Sequence, residues 1–295
     1  MVDEKFLLRR MKGLEAAAPA FAGTAVSALP VAGGDGSFFL ADKAAGMTLL
    51  ELVHDGFLFP HAKAPHGGAG LRPAGVVHRV ALHDPACHVS AIISQSDVAR
   101  FLSTHEAALG GLGARTVADL GWVSGPGSIH SVPPETSALA ALATMAAKGV
   151  AGVAVVDAAG RLLGNLSASD ARGLTADRLP ALALPVAEFL ALEHGTEWWG
   201  LDHSAPAAAA AEADLARAKD HASGFARAAS RRRATLGGAV GQDIAAASPG
   251  DTLAAALATL VARRLHRLYV VDADRRPVGV VTLTDVLKAV AKAAV

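Results

Sequence analysis

Three stretches of the chain end an apolar run with two hydroxyl residues and an aspartate: Ser94-Gln95-Ser96-Asp97, Ser167-Ala168-Ser169-Asp170 and Thr282-Leu283-Thr284-Asp285. A strand that delivers such a segment to the start of a helix offers a phosphate free backbone amides, a favourable dipole and two hydroxyls. The carboxylate beside them can accept hydrogen bonds from a pair of ribose hydroxyls. The same residues also serve with no ligand at all, because Ser, Thr and Asp cap first-turn amides for about 1 kcal/mol each. A second set of groups lies at a fixed distance upstream. His266-Arg267 and His78-Arg79 begin 19 residues before Asp285 and Asp97, and Ala151-Gly152 hold that place before Asp170. Arginine supplies a forked donor for phosphate and histidine a donor whose charge follows pH. Neighbours on a strand face opposite ways, so joint use of each pair needs a strand end that opens on one cleft.

The elements that position these groups recur. Asp84, Asp157 and Asp272 each close an apolar run and each precede the motif aspartate by 13 residues. VAVVD and LYVVD are short β-branched runs followed by turn residues and a second apolar run, the pattern of a β-hairpin. Upstream, Pro134-Glu135-Thr136-Ser137 and Pro249-Gly250-Asp251-Thr252 cap segments with apolar residues at helical spacing. The predicted unit is strand–helix–strand–strand–helix. In its first copy the opening helix is expected over 47–59, followed by a Gly-, Pro- and His-rich insertion over 60–73.

The unit resembles the CBS domain, and the ordered set of three resembles the gamma regulatory subunit of AMP-activated protein kinase and plant gamma-like CBS proteins. VHRVALHD, VAGVAVVD and LHRLYVVD are similar to the second, third and fourth repeats of that family. The resemblance implies an α/β (α+β) fold of tandem βαββα units pairing into Bateman modules, with one repeat missing at the N-terminus. Its expected divisions are an N-terminal remnant over 1–36, repeats over 37–108, 114–175 and 240–295, and a partly mobile Ala-rich and basic connection over 176–239. The resemblance also implies that Asp285 and Asp170 hold ribose. Thr282 and Thr284 would approach phosphate, with His266, Arg267, His78 and Arg79 facing phosphates. Ser167, Ser169, Ser94, Ser96 and Asp97 are the corresponding positions of the other repeats. The implied ligand is AMP, ADP or ATP, without a cofactor and without catalytic residues. The implied partners are kinase catalytic and scaffold subunits, and an unpaired first repeat suggests a homodimer.

Composition narrows the alternatives. The 295 residues are 52% hydrophobic, and 27 basic residues balance 27 acidic ones. A sizeable core is available, and a general nucleic-acid or membrane-surface binder is disfavoured for want of a basic excess. The single cysteine, Cys87, excludes an internal disulfide framework and cysteine-paired zinc sites. Charged residues at the N-terminus argue against a signal peptide, giving the expectation of a soluble cytoplasmic protein, with the nucleus as an alternative. His54, His61, His66, His78, His83, His88 and His105 cluster early but match no metal-ligand spacing. Gly110-Gly111-Leu112-Gly113 reads as a linker, and no Gly-x-Ser-x-Gly elbow supports a hydrolase. A helical piece over 207–222, the 231–233 arginine run as linker charge, and Trp198-Trp199 as a packing pair complete the expectations. Against the nucleotide sensor stands a scaffold whose aspartates only cap helices.

Overall fold

The computed structural model describes residues 4–23, 40–41, 47–59, 76–83, 88–125, 127–172, 174–194 and 244–294. The expectations for the 60–73 insertion, for Asp84 and Cys87, and for the connection beyond residue 194 lie outside the described residues. Two compact units are formed: one from residues 1–24, 126–244 and 273–277, the other from 25–125, 245–272 and 278–295.

In the first unit, helix α1 (Glu4–Gly23) packs on a 3-10 stretch, Ala176–Ala183. Strands β4 (Ser131–Val132), β5 (Gly152–Val156) and β6 (Leu162–Ser167) form one sheet, β4 parallel and β6 antiparallel to β5. Helix α4 (Ala138–Lys148) starts at Ser137, whose hydroxyl accepts from the Ala140 amide. It stops at Gly149, whose φ of 63° is left-handed, a conformation glycine adopts without a Cβ penalty. Ala138, Ala141 and Met145 bury one face of α4 against Val153, Val155 and Leu166. Helix α5 is Val186–His194. One feature differs from the expected unit: the motif at Ser167–Asp170 runs into turns and then 3-10 helix instead of an α-helix. Within that 3-10 stretch Pro180 has no amide to give to an α-helical ladder.

The second unit holds two repeats. The first contains β1 (Leu40–Ala41), the single turn α2 (Leu49–Glu51), a π-helical segment Leu52–Leu58, β2 (Arg79–His83), β3 (Val89–Ser94) and α3 (Gln95–Thr104). The other contains β7 (Ala246–Ala247), α6 (Leu253–Ala262), β8 (Arg267–Val271), β9 (Pro277–Thr282) and α7 (Leu283–Ala293). The helix expected over 47–59 is therefore mostly π-helical, the Phe59 amide donating to the His54 carbonyl. That wider turn lets Leu52, Val53, Phe57 and Leu58 all enter the core. Helix α3 packs on α6 and α7, joining Val98 and Leu102 to Leu253, Leu257 and Leu287 in one apolar cluster.

The first repeat thus has its helical side covered within the chain, which corrects the expectation of an unpaired repeat and removes half of the reason for a homodimer. Its strand β3 remains open, with Val89 56% and Ile92 62% exposed.

A pattern unforeseen in the sequence ties each unit together. Residues 113–118 zip onto the start of α6: the Leu253 and Ala254 amides donate to the Arg115 and Gly113 carbonyls, and the Val117 and Ala118 amides to the Asp251 and Pro249 carbonyls. In the first unit the Ala138 amide donates to the Leu184 carbonyl, and the Val186 and Ala187 amides to the Thr136 and Pro134 carbonyls. Thr116-Val117-Ala118-Asp119 and Pro185-Val186-Ala187-Glu188 are the shared signature of these straps.

Candidate nucleotide site

Each motif sits where its strand meets the following segment, and one hydrogen bond marks the repeat. The amides of Gln95, Ala168 and Leu283 donate to the carbonyls of His78, Ala151 and His266. The His-Arg pairs therefore stand at the foot of α3 and α7, and Ala151-Gly152 take that place in the middle repeat. Arg79 lies directly opposite Ser94 in the β2–β3 ladder, as Gly152 lies opposite Ser167.

In the second unit both motifs form reciprocal caps. The Thr282 hydroxyl donates to Asp285 Oδ2 at 2.6 Å, the Thr282 amide donates to the same oxygen at 3.0 Å, and the Asp285 amide donates back to Thr282 Oγ1 at 3.2 Å. Ser94 and Asp97 repeat this at 2.7, 2.9 and 3.3 Å. The second carboxylate oxygens differ. Asp97 Oδ1 is met by the Arg100 guanidinium at 3.2 Å, whereas among the described residues nothing donates to Oδ1 of Asp285. Asp285 can cap α7 with one oxygen and accept from a ligand with the other, so capping and ligand binding are compatible there. At Asp170 the Ser167 hydroxyl and amide donate to Oδ2 at 2.8 and 2.7 Å, but no α-helix follows.

The two motifs of the second unit are brought together. Thr284 donates its hydroxyl to Gln95 Oε1 at 3.1 Å, and Gln95, 3% exposed, donates through Nε2 to the Val77 carbonyl at 3.0 Å. Ser169 and Asp170 belong to the other unit. Gln95 was not among the expected residues, although the sequence carries a hint: the corresponding positions are Ala168 and Leu283.

The cations are held unequally. His78, Arg79 and His266 are exposed, while Arg267 is half-buried and shares a face of β8 with Tyr269. Leu268 and Val270 take the other face, into the core. Burial pushes the Tyr269 phenol up to about 12, partly offset by the charge and hydrogen bond of Arg267. The phenol stays neutral and anchors the guanidinium near the foot of α7.

Hydrogen bonds from the Ser94 hydroxyl and amide, with the Arg100 charge, hold the Asp97 carboxyl below its ordinary range against a smaller opposing effect of burial. A depressed folded-state value gives stability that is present above the unfolded-state value and is lost as pH falls through the folded one. Acid titration of unfolding should therefore show this contribution disappearing below about pH 4, and Asp97→Asn should flatten that part of the profile.

No group of three or more His, Cys, Asp or Glu side chains suited to a metal ion occurs among the described residues, and no described helix is long and apolar enough to cross a membrane.

Paired hairpins with capped helices define an α+β protein of tandem repeats whose polar junctions sit at strand ends. Residues 127–176 and 239–292 match the family model described as CBS domain. The family match is thus carried by these two segments of the chain. Its first repeat, outside those matched residues, has the same order of hairpin and capped helix. Among solved structures, a Methanocaldococcus jannaschii protein whose description compares it with g-AMPK is 18% identical over 72% of this chain, with a TM-score of 0.42. The chain spans 59% of that protein's length. CBSX2 from Arabidopsis thaliana, a CBS-pair protein also solved in complex with AMP, is 21% identical over 61% of this chain, with a TM-score of 0.36. This chain spans 98% of the AMP complex and 97% of the other CBSX2 structure. No curated protein matches the sequence.

Proposed function

We propose that the protein is a non-catalytic regulator that binds an adenine nucleotide at its CBS repeats and modulates a partner, a kinase complex in which it acts as a gamma-like subunit. The observation that carries this reading is the third repeat's junction. Asp285 keeps one carboxylate oxygen without a donor among the described residues, at the helix N-terminus beside which His266 and Arg267 stand. Ribose hydroxyls suit that oxygen, and phosphates suit the cations and the helix dipole. Regulation then needs only a difference in ligand affinity between two states of the partner complex.

Calorimetry with AMP, ADP and ATP tests the reading: saturable binding below millimolar concentration is expected, and no heat from any of the three ends it. Pull-down with kinase catalytic and scaffold subunits, with and without nucleotide, tests the partner.

A second reading, a scaffold without a ligand, is favoured by one feature. At Asp97 both carboxylate oxygens are already engaged within the protein. Stable association with the same subunits, unchanged by nucleotide, supports that reading.

A further inference from the structure

We infer that Gln95 is a built-in competitor for the ligand of the third repeat, holding the hydroxyl of Thr284 that a phosphate would need. The inference rests on the nucleotide reading above and adds to it a residue from another repeat. A threonine hydroxyl has one proton, and Thr284 commits it to Gln95 Oε1 at 3.1 Å. A phosphate oxygen accepts hydrogen bonds and donates none, so Thr284 offers it nothing while that bond persists.

The orientation of the Gln95 amide is fixed from its other end. Its Nε2 must face the Val77 carbonyl, which can only accept, and the backbone amide of Gln95 is held by the His78 carbonyl. Oε1 is left pointing at Thr284 in surroundings where Gln95 is 3% exposed. Turning Thr284 toward a phosphate would strand a buried carbonyl oxygen, a costly state. Ala168 and Leu283, at the corresponding positions, have no side-chain group that could do this. Contact between the first and third repeats and phosphate contact by Thr284 are therefore alternatives. A ligand that wins the hydroxyl loosens the packing of α3 on α7, which is a differential interaction of the kind regulation requires.

The test is a double-mutant cycle in the full chain with Gln95→Met, which keeps length and apolar bulk, and Thr284→Val. Calorimetry with AMP, ADP and ATP should show Gln95→Met binding about three- to tenfold tighter, the gain expected when a buried acceptor no longer claims the hydroxyl. Thr284→Val should abolish the gain from Gln95→Met, so that the double variant binds no tighter than Thr284→Val alone. Without nucleotide, denaturant unfolding should show the two substitutions coupled by about three- to tenfold in the equilibrium constant. Thr284→Ser, milder still, keeps a hydroxyl and should keep the coupling to Gln95 in unfolding, which guards against a variant that does not fold. The same gain from Gln95→Met with and without Thr284→Val, or additive unfolding effects, would overturn the proposal. No binding by any variant would overturn the nucleotide reading and the competitor role with it, while coupling in unfolding would still show that the contact exists.

Discussion

Replacing Asp285 by Ala should weaken adenine-nucleotide binding by about ten- to a hundredfold, the expected cost of losing a charged hydrogen bond to ribose. The same substitution removes the reciprocal cap on α7, costing about 1 kcal/mol of stability. Asp97→Ala is the informative comparison. It removes an equivalent cap from α3, but its Oδ1 is already met by Arg100, so its stability loss should be similar and its affinity loss much smaller. Calorimetry and denaturant unfolding on both variants separate the two effects. Equal affinity losses at Asp97 and Asp285 would show that the unengaged oxygen of Asp285 is not what a ligand uses. A stability loss with unchanged affinity at Asp285 would reduce all these aspartates to caps.

Gly279→Ala should be the most damaging single methyl in the second unit. A Cβ at Gly279 would collide with the Trp122 carbonyl oxygen and lie 3.1 Å from its carbon, atoms of backbone that no rotamer change can move aside. That close approach is the seam along which residues 122–125 dock on β9: Val123 bridges Gly279, and the Ser124 and Gly125 amides donate to the Val278 carbonyl. Forcing the seam apart should cost about 1–3 kcal/mol or more, lowering the melting temperature by several degrees. Gly250→Ala provides the control, since nothing lies within 4 Å of a Cβ there. Thermal unfolding of the two variants decides the matter, and equal melting temperatures would mean that this seam does not hold β9.

Much of the repeat was legible because its signals are local. The hairpin of β5 and β6 follows from β-branched residues around a turn in which Asp157 accepts from the Ala159 and Arg161 amides and Gly160 takes a φ of 80°. Ser137 and Thr252 are visible as caps because a cap is a property of a few consecutive residues. The turns after Ser167 were not legible, because the hydroxyl–aspartate motif there is the same as at the two capped helices.

The α+β repeat, the hydroxyl–aspartate junctions and the His-Arg pair before two of them follow from short-range order along the chain, each feature resting on residues near one another in sequence. Packing across the fold sets the rest: the first and third repeats share a core, Asp285 and not Asp97 keeps a carboxylate oxygen without a donor among the described residues, and Gln95 claims Thr284. Those outcomes depend on which faces meet across long separations in the chain. A hydroxyl's proton or a carboxylate's lone pair goes to the nearest partner in space, and spacing along the chain does not encode that neighbour.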